Sequence, residues 1–483
     1  MWRSGRTSPY SSDESLVVER VRDRGVRAHR VSNVTGAGAA KATSVRVSGE
    51  MRISCLGEAR DRRRGVRPPV HVLLLTHYFE PENGAPQRRW HALIQRLVAS
   101  GHAVDVIAPP PHYPTGKLDP AAAPATRAGG VAVGSHGGTV RRVSFLRHDA
   151  SVASRTLDHL WVAAASIMLA TKLARRGIVR PDVIVATAPG LPTLLAGRVV
   201  AKRLGVPLVA EMRDAWPDLV SHTPGLVSGA GPIARVKQRV HGAITALQRD
   251  AAVVVTTTES FAEVLRDREV DPVHVIRNGT SLARYAVIPP TVHDHDELRV
   301  LYMGTIGRSQ GLETVIRATA AAREHGVRIE TRIVGYGADV ARLRALNTAL
   351  GSPVRLLDRV QPNEVFGHYD WADTTVVALR DWEPFKWTVP SKLYELMATG
   401  KHITAIVDGE AAALVRESNS GDVVPPGDAS AVADLWGRLS RDRALVASRD
   451  GGRAWIARNA EYDVIGEQYR VLLETEVERN RSS

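Results

Sequence analysis

Residues 389–400, Val389-Pro390-Ser391-Lys392-Leu393-Tyr394-Glu395-Leu396-Met397-Ala398-Thr399-Gly400, read as a short helix with both ends marked. Pro390 disfavours helix at the residue before it, Ser391 can accept a bond from an orphan first-turn amide, and Gly400 suits a left-handed cap. Leu393, Leu396 and Met397 share one face, which is therefore the buried one. Strand-like runs flank the helix, Thr374 to Leu379 before it and Ile403 to Val407 after it. A β-α-β unit in a parallel sheet follows, and ligands of such sheets lie at the carboxyl ends of the strands. The loop 380–389 and the start of this helix belong to that end.

A helix N-terminus carries roughly half a positive charge and several free N–H groups, so Lys392 in its first turn adds a full charge aimed at an anion such as a pyrophosphate. Glu395, one turn in, offers a carboxylate that can accept two bonds from vicinal hydroxyls, as acidic residues hold a ribose. Together the pair suits a nucleotide diphosphate. A spacing of three is also found on ordinary solvated helix faces, so the remainder of the chain has to decide.

Its 483 residues suffice for two domains, and 44% hydrophobic content supports real cores. No apolar run reaches about 18 residues, so no membrane span is expected. The formal charge is +13, but residues 1–68 hold 15 of the 64 basic and 7 of the 51 acidic residues, which leaves the remainder only mildly basic at +5. Zinc spacings, aromatic-and-basic RNA motifs and a basic helix opening onto a zipper are all missing, so a nucleic-acid partner is not expected. The single cysteine, Cys55, excludes a disulfide within the chain and fits a reducing compartment.

Residues 1–68, rich in Arg, Ser and Gly, read as a disordered basic extension, with Met51 as a candidate true start. Order begins at Val70-His71-Val72-Leu73-Leu74-Leu75, the kind of run found in a strand buried on both faces. A loop from Thr76 to Pro86, a helix from Gln87 to Ser100 and a strand from Val104 to Ala108 then open a doubly wound domain. The first turn lacks G-x-G-x-x-G, which counts against a nicotinamide or flavin. Gly84 instead allows backbone to approach a ligand.

Pro109 to Lys117 is too turn-rich for filler and is placed at the rim of a cleft, and residues 120–138 read as a mobile loop. Leu157 to Arg176 reads as a helix with an apolar centre, either buried or in peripheral contact with a membrane. Alternation continues through strands at 181–187, 206–210, 253–257 and 273–276. The first domain is therefore drawn as 69–285, a linker as 286–297, a second domain as 298–460, and a C-terminal helix and tail, packing back on the first domain, as 461–483. Asp294-His295-Asp296 has a D-x-D spacing but precedes a strand instead of ending one, so no metal is expected there.

Six dispersed stretches, in order, carry a resemblance: Leu74 to Glu82, Tyr113 to Lys117, Arg213 to Pro217, Asn278-Gly279, Gly307 to Glu313 and Val389 to Gly400. From about residue 70 to 475 the chain resembles the retaining family 4 glycosyltransferases, and looks most like the bacterial branch that includes fucosamine and other amino-sugar transferases of surface polysaccharide synthesis. The resemblance implies an α/β GT-B fold, two Rossmann-like doubly wound domains facing each other across a cleft, with no cofactor and no metal. It implies a nucleotide-diphosphate sugar donor, a sugar or lipid-linked acceptor, and a cytoplasmic protein, peripheral at the inner face of the membrane. Glu395 matches the second glutamate of the family's E-x7-E signature, but Trp387 stands where the first belongs. The family's phosphate-binding Arg and Lys fall on Thr305 and Gln310.

Those charges must then come from Lys392 first and Arg308 second. Asp214 is the carboxylate to consider near the sugar, so Asp214, Lys392 and Arg308 are the catalytic candidates. Gly84, Asn278, Gly307, Gly335, Ser391, Lys392 and Glu395 are expected on the donor, and Glu82, Tyr113, Lys117 and Arg213 on the acceptor side. His77 is either a satisfied loop histidine or a ligand. Departure of a nucleoside diphosphate develops negative charge that fixed donors must meet. Retention could proceed by same-face attack, which needs no protein nucleophile. Competing readings are an epimerase or phosphorylase of the same fold, or a sugar-nucleotide-binding protein without activity.

Overall fold

The computed structural model describes residues 68–483 except 83, 114, 119–121, 150, 216–217, 219–231, 286–287, 289–294, 362 and 448–449. The basic extension up to residue 67, Cys55, Pro114 and Trp216-Pro217 of the motifs, and most of the 286–297 linker with Asp294 lie outside the described residues.

Runs of β-branched and aliphatic residues bounded by turns build two sheets. The first contains β1 His71–Leu75, β2 Ala103–Ala108, β3 Val131–Val133, β4 Thr139–Arg142, β5 Val183–Thr187, β6 Leu208–Met212, β7 Val253–Thr256 and β8 Val273–Val275. Its order is β3-β4-β2-β1-β5-β6-β7-β8, parallel except for the antiparallel β3–β4 pair. Helices α1 Ala85–Ala99, α2 Val152–Arg175, α3 Leu191–Leu204, α4 Pro232–Arg249 and α5 Glu259–Asp267 accompany it.

The second sheet contains β9 Leu298–Thr305, β10 Ile329–Tyr336, β11 Val354–Leu357, β12 Thr374–Ala378, β13 His402–Ile406 and β14 Gly421–Val424, all parallel in the order β11-β10-β9-β12-β13-β14. Its helices are α6 Glu313–Glu324, α7 Val340–Ala349, α8 Val365–Trp371, α9 Glu383–Lys386, α10 Ser391–Thr399, α11 Gly409–Glu417 and α12 Ala429–Arg441. Both sheets carry a topological switch beside their first strand, where doubly wound folds bind ligands.

Each sheet is covered on both faces. Val72, Leu74, Val185 and Val209 bury one side of the first sheet together with Trp90 and Leu93 of α1; Leu73, Leu75, Ile184 and Ala186 bury the other. Two further helices, α13 Asp450–Asn459 and α14 Tyr462–Ser482, close the chain. Ile465, Tyr469, Leu473 and Val477 of α14 lie in the same core as Val72 and Leu74, so the C-terminal helix completes the first lobe.

The closing stretch divides into α13 and α14 because Ala460 gives its carbonyl to the Thr280 N–H at 3.0 Å and Glu461 caps the next helix through the Asp463 N–H. Two local readings need correction. Residues 120–138 are not simply a loop: they contain β3, whose turn at Gly134, Gly137 and Gly138 returns the chain into β4. The helix expected over 157–176 begins at Val152, where Ser151 accepts the Ser154 N–H. At 24 residues it is about 36 Å long, enough by length and composition to cross a bilayer. One face of it, with Val162, Ala163, Ala170 and Leu173, is nonetheless packed in the first lobe's core.

The lobes meet through residues that follow strand carboxyl ends. Thr258, after β7, donates its hydroxyl to the Trp387 carbonyl at 2.6 Å; the Ser260 N–H donates to Glu410 at 2.8 Å; and Arg277, after β8, pairs with Glu410 at 2.6 Å. Trp387, at the position expected for the first glutamate of the signature, packs its indole against the first lobe's core.

Candidate functional site

Helix α10 starts differently from expectation. Ser391 is its first helical residue and Pro390 its N-cap, and proline brings no side-chain oxygen, so no side chain caps the first-turn amides. The Pro390 carbonyl accepts the Leu393 N–H at 2.9 Å. Gly400 ends the helix at φ 73°, as the left-handed cap requires. Leu393, Leu396 and Met397 are buried, and this holds Lys392 and Glu395 on the opposite side.

Lys392 lies along the end of β9, where its Cε would stand 3.8 Å from a Cβ at Gly304. Its Nζ donates to the Tyr369 hydroxyl at 3.1 Å and to Glu395 Oε2 at 2.9 Å. Burial opposes the ammonium charge, but Tyr369 and Glu395 outweigh it and hold the Lys392 pKa above its ordinary value. Burial alone would also raise the Glu395 carboxyl. Lys392 and Arg88 instead keep it below the usual carboxylate range.

Arg88 is the residue that sequence reasoning missed. It sits near the start of α1 in the first lobe, four residues after Gly84, and its Nη2 donates to Glu395 Oε1 at 2.8 Å. The carboxylate expected to hold a ribose therefore stands between a lysine on its own helix and an arginine from the opposite lobe. A carboxylate has about four lone-pair sites, so both contacts leave room for a diol. A signal existed in the adjacent Arg88-Arg89 pair after the first-strand loop, but only one of the two faces the gap. Arg89 is 2% exposed and bonds Glu211 at 3.0 Å and the carbonyls of Ile276 and Arg277.

Other donor-side positions are placed by backbone geometry. Gly84 is the N-cap of α1, within a helical turn of Arg88. Gly307 opens the short turn 308–310 after β9, and its N–H donates at 3.1 Å to the side chain of Gln310, which thus closes the turn. Arg308 is exposed in that turn, and no contact among the described residues joins it to Lys392. A Cβ at Gly335 would lie 1.9 Å from the Gly304 carbonyl, so this glycine is required by the close β9–β10 approach whether or not a ligand binds. Asn278 lies in the turn after β8, which is fastened to the α13–α14 junction through Thr280.

On the acceptor side two expectations change. Arg213 is 8% exposed and spends its guanidinium on the Ala188 carbonyl, at 3.0 and 2.8 Å, and the Thr187 hydroxyl, at 3.1 Å. It ties the ends of β5 and β6 together. Glu82 accepts the N–H groups of His112 and Tyr113, both at 2.9 Å, and Gln87 Nε2 at 3.1 Å, so it clamps the loop after β2 onto the loop after β1. Tyr113 and Lys117 are exposed on that loop. Asp214 follows β6, half-buried, and burial pushes its carboxyl pKa up despite the Arg213 charge beside it.

Two facing doubly wound lobes with a lysine–glutamate pair on a helix start define the GT-B class. Two family models match the chain: "Glycosyl transferase 4-like domain" over residues 84–279 and "Glycosyl transferases group 1" over residues 297–442. The chain belongs to the glycosyltransferases of GT-B fold. It is 27% identical over 297 residues to WcaI of Escherichia coli (strain K12), named for colanic acid biosynthesis, covering 57% of this chain and 68% of that one. In fold it is similar to sucrose-phosphate synthase from Thermosynechococcus elongatus, with TM-score 0.63, 19% identity, and coverage of 84% of this chain and 98% of that one. It is also similar to HepE of Anabaena in complex with UDP-glucose, with TM-score 0.58, 16% identity and coverage of 84% and 100%.

Proposed function

We propose that this glycosyltransferase moves a hexosyl or amino-sugar residue from a nucleoside diphosphate sugar to a lipid-linked or glycan acceptor, with retention of configuration, in the assembly of a cell-surface polysaccharide. The observation that carries the reading is the Lys392–Glu395 pair, held at 2.9 Å on the uncapped start of α10 and met across the lobes by Arg88. Glu395 accepts the ribose diol. Lys392 and the positive end of α10 meet the charge that develops on the departing diphosphate, a role that needs no protein nucleophile. WcaI's role in colanic acid biosynthesis supports a polysaccharide product, and the UDP-glucose held by HepE supports a nucleotide sugar as donor.

Incubation with UDP-, GDP- and dTDP-sugars tests the reading. One donor is expected to be hydrolysed slowly without acceptor, releasing the sugar first as the anomer it had in the donor, as followed by proton NMR. Interconversion of donor epimers, or binding without turnover, would overturn it.

The acceptor side supports a membrane-proximal site. On α2, Leu157 is 61%, Leu160 48%, Trp161 46% and Met168 65% exposed, while the opposite face is packed in the core. Arg155, Lys172 and Arg175 flank this stripe. An amphipathic helix of this kind lies in a bilayer surface, with basic residues drawn to anionic lipid. Flotation with vesicles containing phosphatidylglycerol is expected at low salt and is expected to be weakened in a Trp161→Ser, Met168→Ser variant. Equal flotation of the variant would exclude this helix as the contact.

A further inference from the structure

Three histidines and an aspartate from four separate segments converge inside the first lobe. His77 follows β1, His112 follows β2, His148 lies between β4 and α2, and Asp158 is on α2. His77 Nε2 stands 3.1 Å, His112 Nε2 3.5 Å and His148 Nε2 3.8 Å from the same atom, Asp158 Oδ2. Their exposure is slight: 2% for His77, 3% for His112, 0% for Asp158, and 6% for the His148 side chain. Among the described residues, His77, His112 and Asp158 are the one group whose ligand atoms all lie within 4.8 Å of one another.

Distance alone would allow hydrogen bonds, but direction does not. Nε2 of all three rings, Nδ1 of His77 and Oδ2 of Asp158 are buried without a hydrogen-bond partner. Even at 3.1 Å the ring N–H direction of His77 misses the carboxylate oxygen. Ligands of a common centre behave this way, because each is aimed at the centre and not at its neighbours. In a tetrahedral site with bonds of about 2.0–2.1 Å, ligand atoms lie about 3.3–3.4 Å apart, close to the 3.1 and 3.5 Å that separate His77 and His112 from Asp158.

The outer contacts favour the same arrangement. His112 Nδ1 faces the Pro110 carbonyl at 2.7 Å and His148 Nδ1 the Asp149 carbonyl at 2.9 Å. Each carbonyl can only accept, so each Nδ1 carries a proton, and Nε2 is the atom each ring has left to offer a metal on the Asp158 side. Asp158 is oriented in turn, its Oδ1 accepting the Leu146 N–H at 2.8 Å. Metal-ligating histidines are held by such second contacts, which set the tautomer and aim the ring.

We propose that His77, His112 and Asp158 form a site for a first-row divalent transition metal, with His148, 3.8 Å from Asp158, the nearest side chain to complete it and zinc fitting a set of imidazoles and one carboxylate best. Ligands with almost no exposure describe a closed, structural centre, separate from the sugar-transfer chemistry. Its work is to tie the loops after β1, β2 and β4 to α2, and so to set the acceptor wall that Glu82 clamps from the other side.

The test uses tag-free full-length protein. Elemental analysis is expected to find about one zinc per chain. Removal with a chelator is expected to lower Tm by about 5 °C or more, and equimolar zinc to restore it. Cobalt in its place should give the intense visible bands of a four-coordinate site, and His77→Gln and His112→Gln should each lose both the bands and the bound metal. Three results would overturn the proposal: no metal retained after incubation with zinc, metal content unchanged in both variants, which marks an adventitious ion only, or a Tm indifferent to chelation, which leaves a metal-free cluster of charged histidines around Asp158. The wild-type chelation arm needs no variant to fold, and none of these outcomes bears on donor specificity.

Discussion

Glu395→Ala is expected to weaken donor binding by about a hundredfold, with the fold intact. A carboxylate accepting hydrogen bonds from a diol contributes about 1.5–3 kcal/mol, and the upper part of that range corresponds to about two orders of magnitude in affinity. Helix α10, Ser391–Thr399, carries no second carboxylate to replace it. The substitution also leaves Arg88 and Lys392 without their shared partner, which lies 2.8 and 2.9 Å away. Lys392→Ala acts differently. Because the lysine meets charge that grows only as the bond breaks, it should lower kcat by about a hundredfold, equivalent to about 3 kcal/mol, with a smaller effect on donor affinity. Calorimetric titration with the preferred donor separates the two variants. Unchanged affinity in Glu395→Ala would remove the ribose role.

Glu211→Ala is expected to destabilise the protein by about 3–5 kcal/mol, the cost of stranding one partner of a buried ion pair. Glu211, at 0% exposure, accepts Arg89 Nε at 3.0 Å and the Trp90 indole N–H at 3.0 Å, with Arg213 3.8 Å away. Without it the Arg89 guanidinium remains buried, tied only to the carbonyls of Ile276 and Arg277. This network joins α1 to β6 and to the turn after β8, so Arg88 would lose its support as well. Urea denaturation reads the effect as a lower midpoint at constant slope. A loss below about 1 kcal/mol would mean that water reaches Arg89 readily.

Much of the architecture can be read along the chain because strand and helix patterns are local. The run from Val70 to Leu75 is apolar at nearly every position, as a strand covered on both faces must be, and β1 is buried there. Gly400 announces the end of α10 for an equally local reason, the left-handed φ. Patterns weakened where partners supplied the missing information. The β3 strand, only three residues long, is defined by pairing with β4, and the break between α13 and α14 by a bond to Thr280.

The site divides along the same line. Lys392 and Glu395 lie three residues apart on one helix, so helical geometry alone places them together and their spacing announces them. Arg88 meets Glu395 across 307 residues, and Trp387 packs into the first lobe's core, contacts that no local pattern encodes. Arg213 and Glu82 show the converse. Their charge suggested contact with substrate, but burial turned one to strand-end carbonyls and the other to loop amides.

The linear order of residues was enough to establish two α/β lobes, their strand carboxyl ends and the charged helix start between them, because periodicity, capping and turn preference act within a few residues. Which arginine faces Glu395, which charged side chains are spent inside the fold, and the gathering of His77, His112 and His148 around Asp158 depended on packing. Those outcomes are set by separations in space and by the cost of burying a polar group unpaired, and neither quantity exists until the chain has folded.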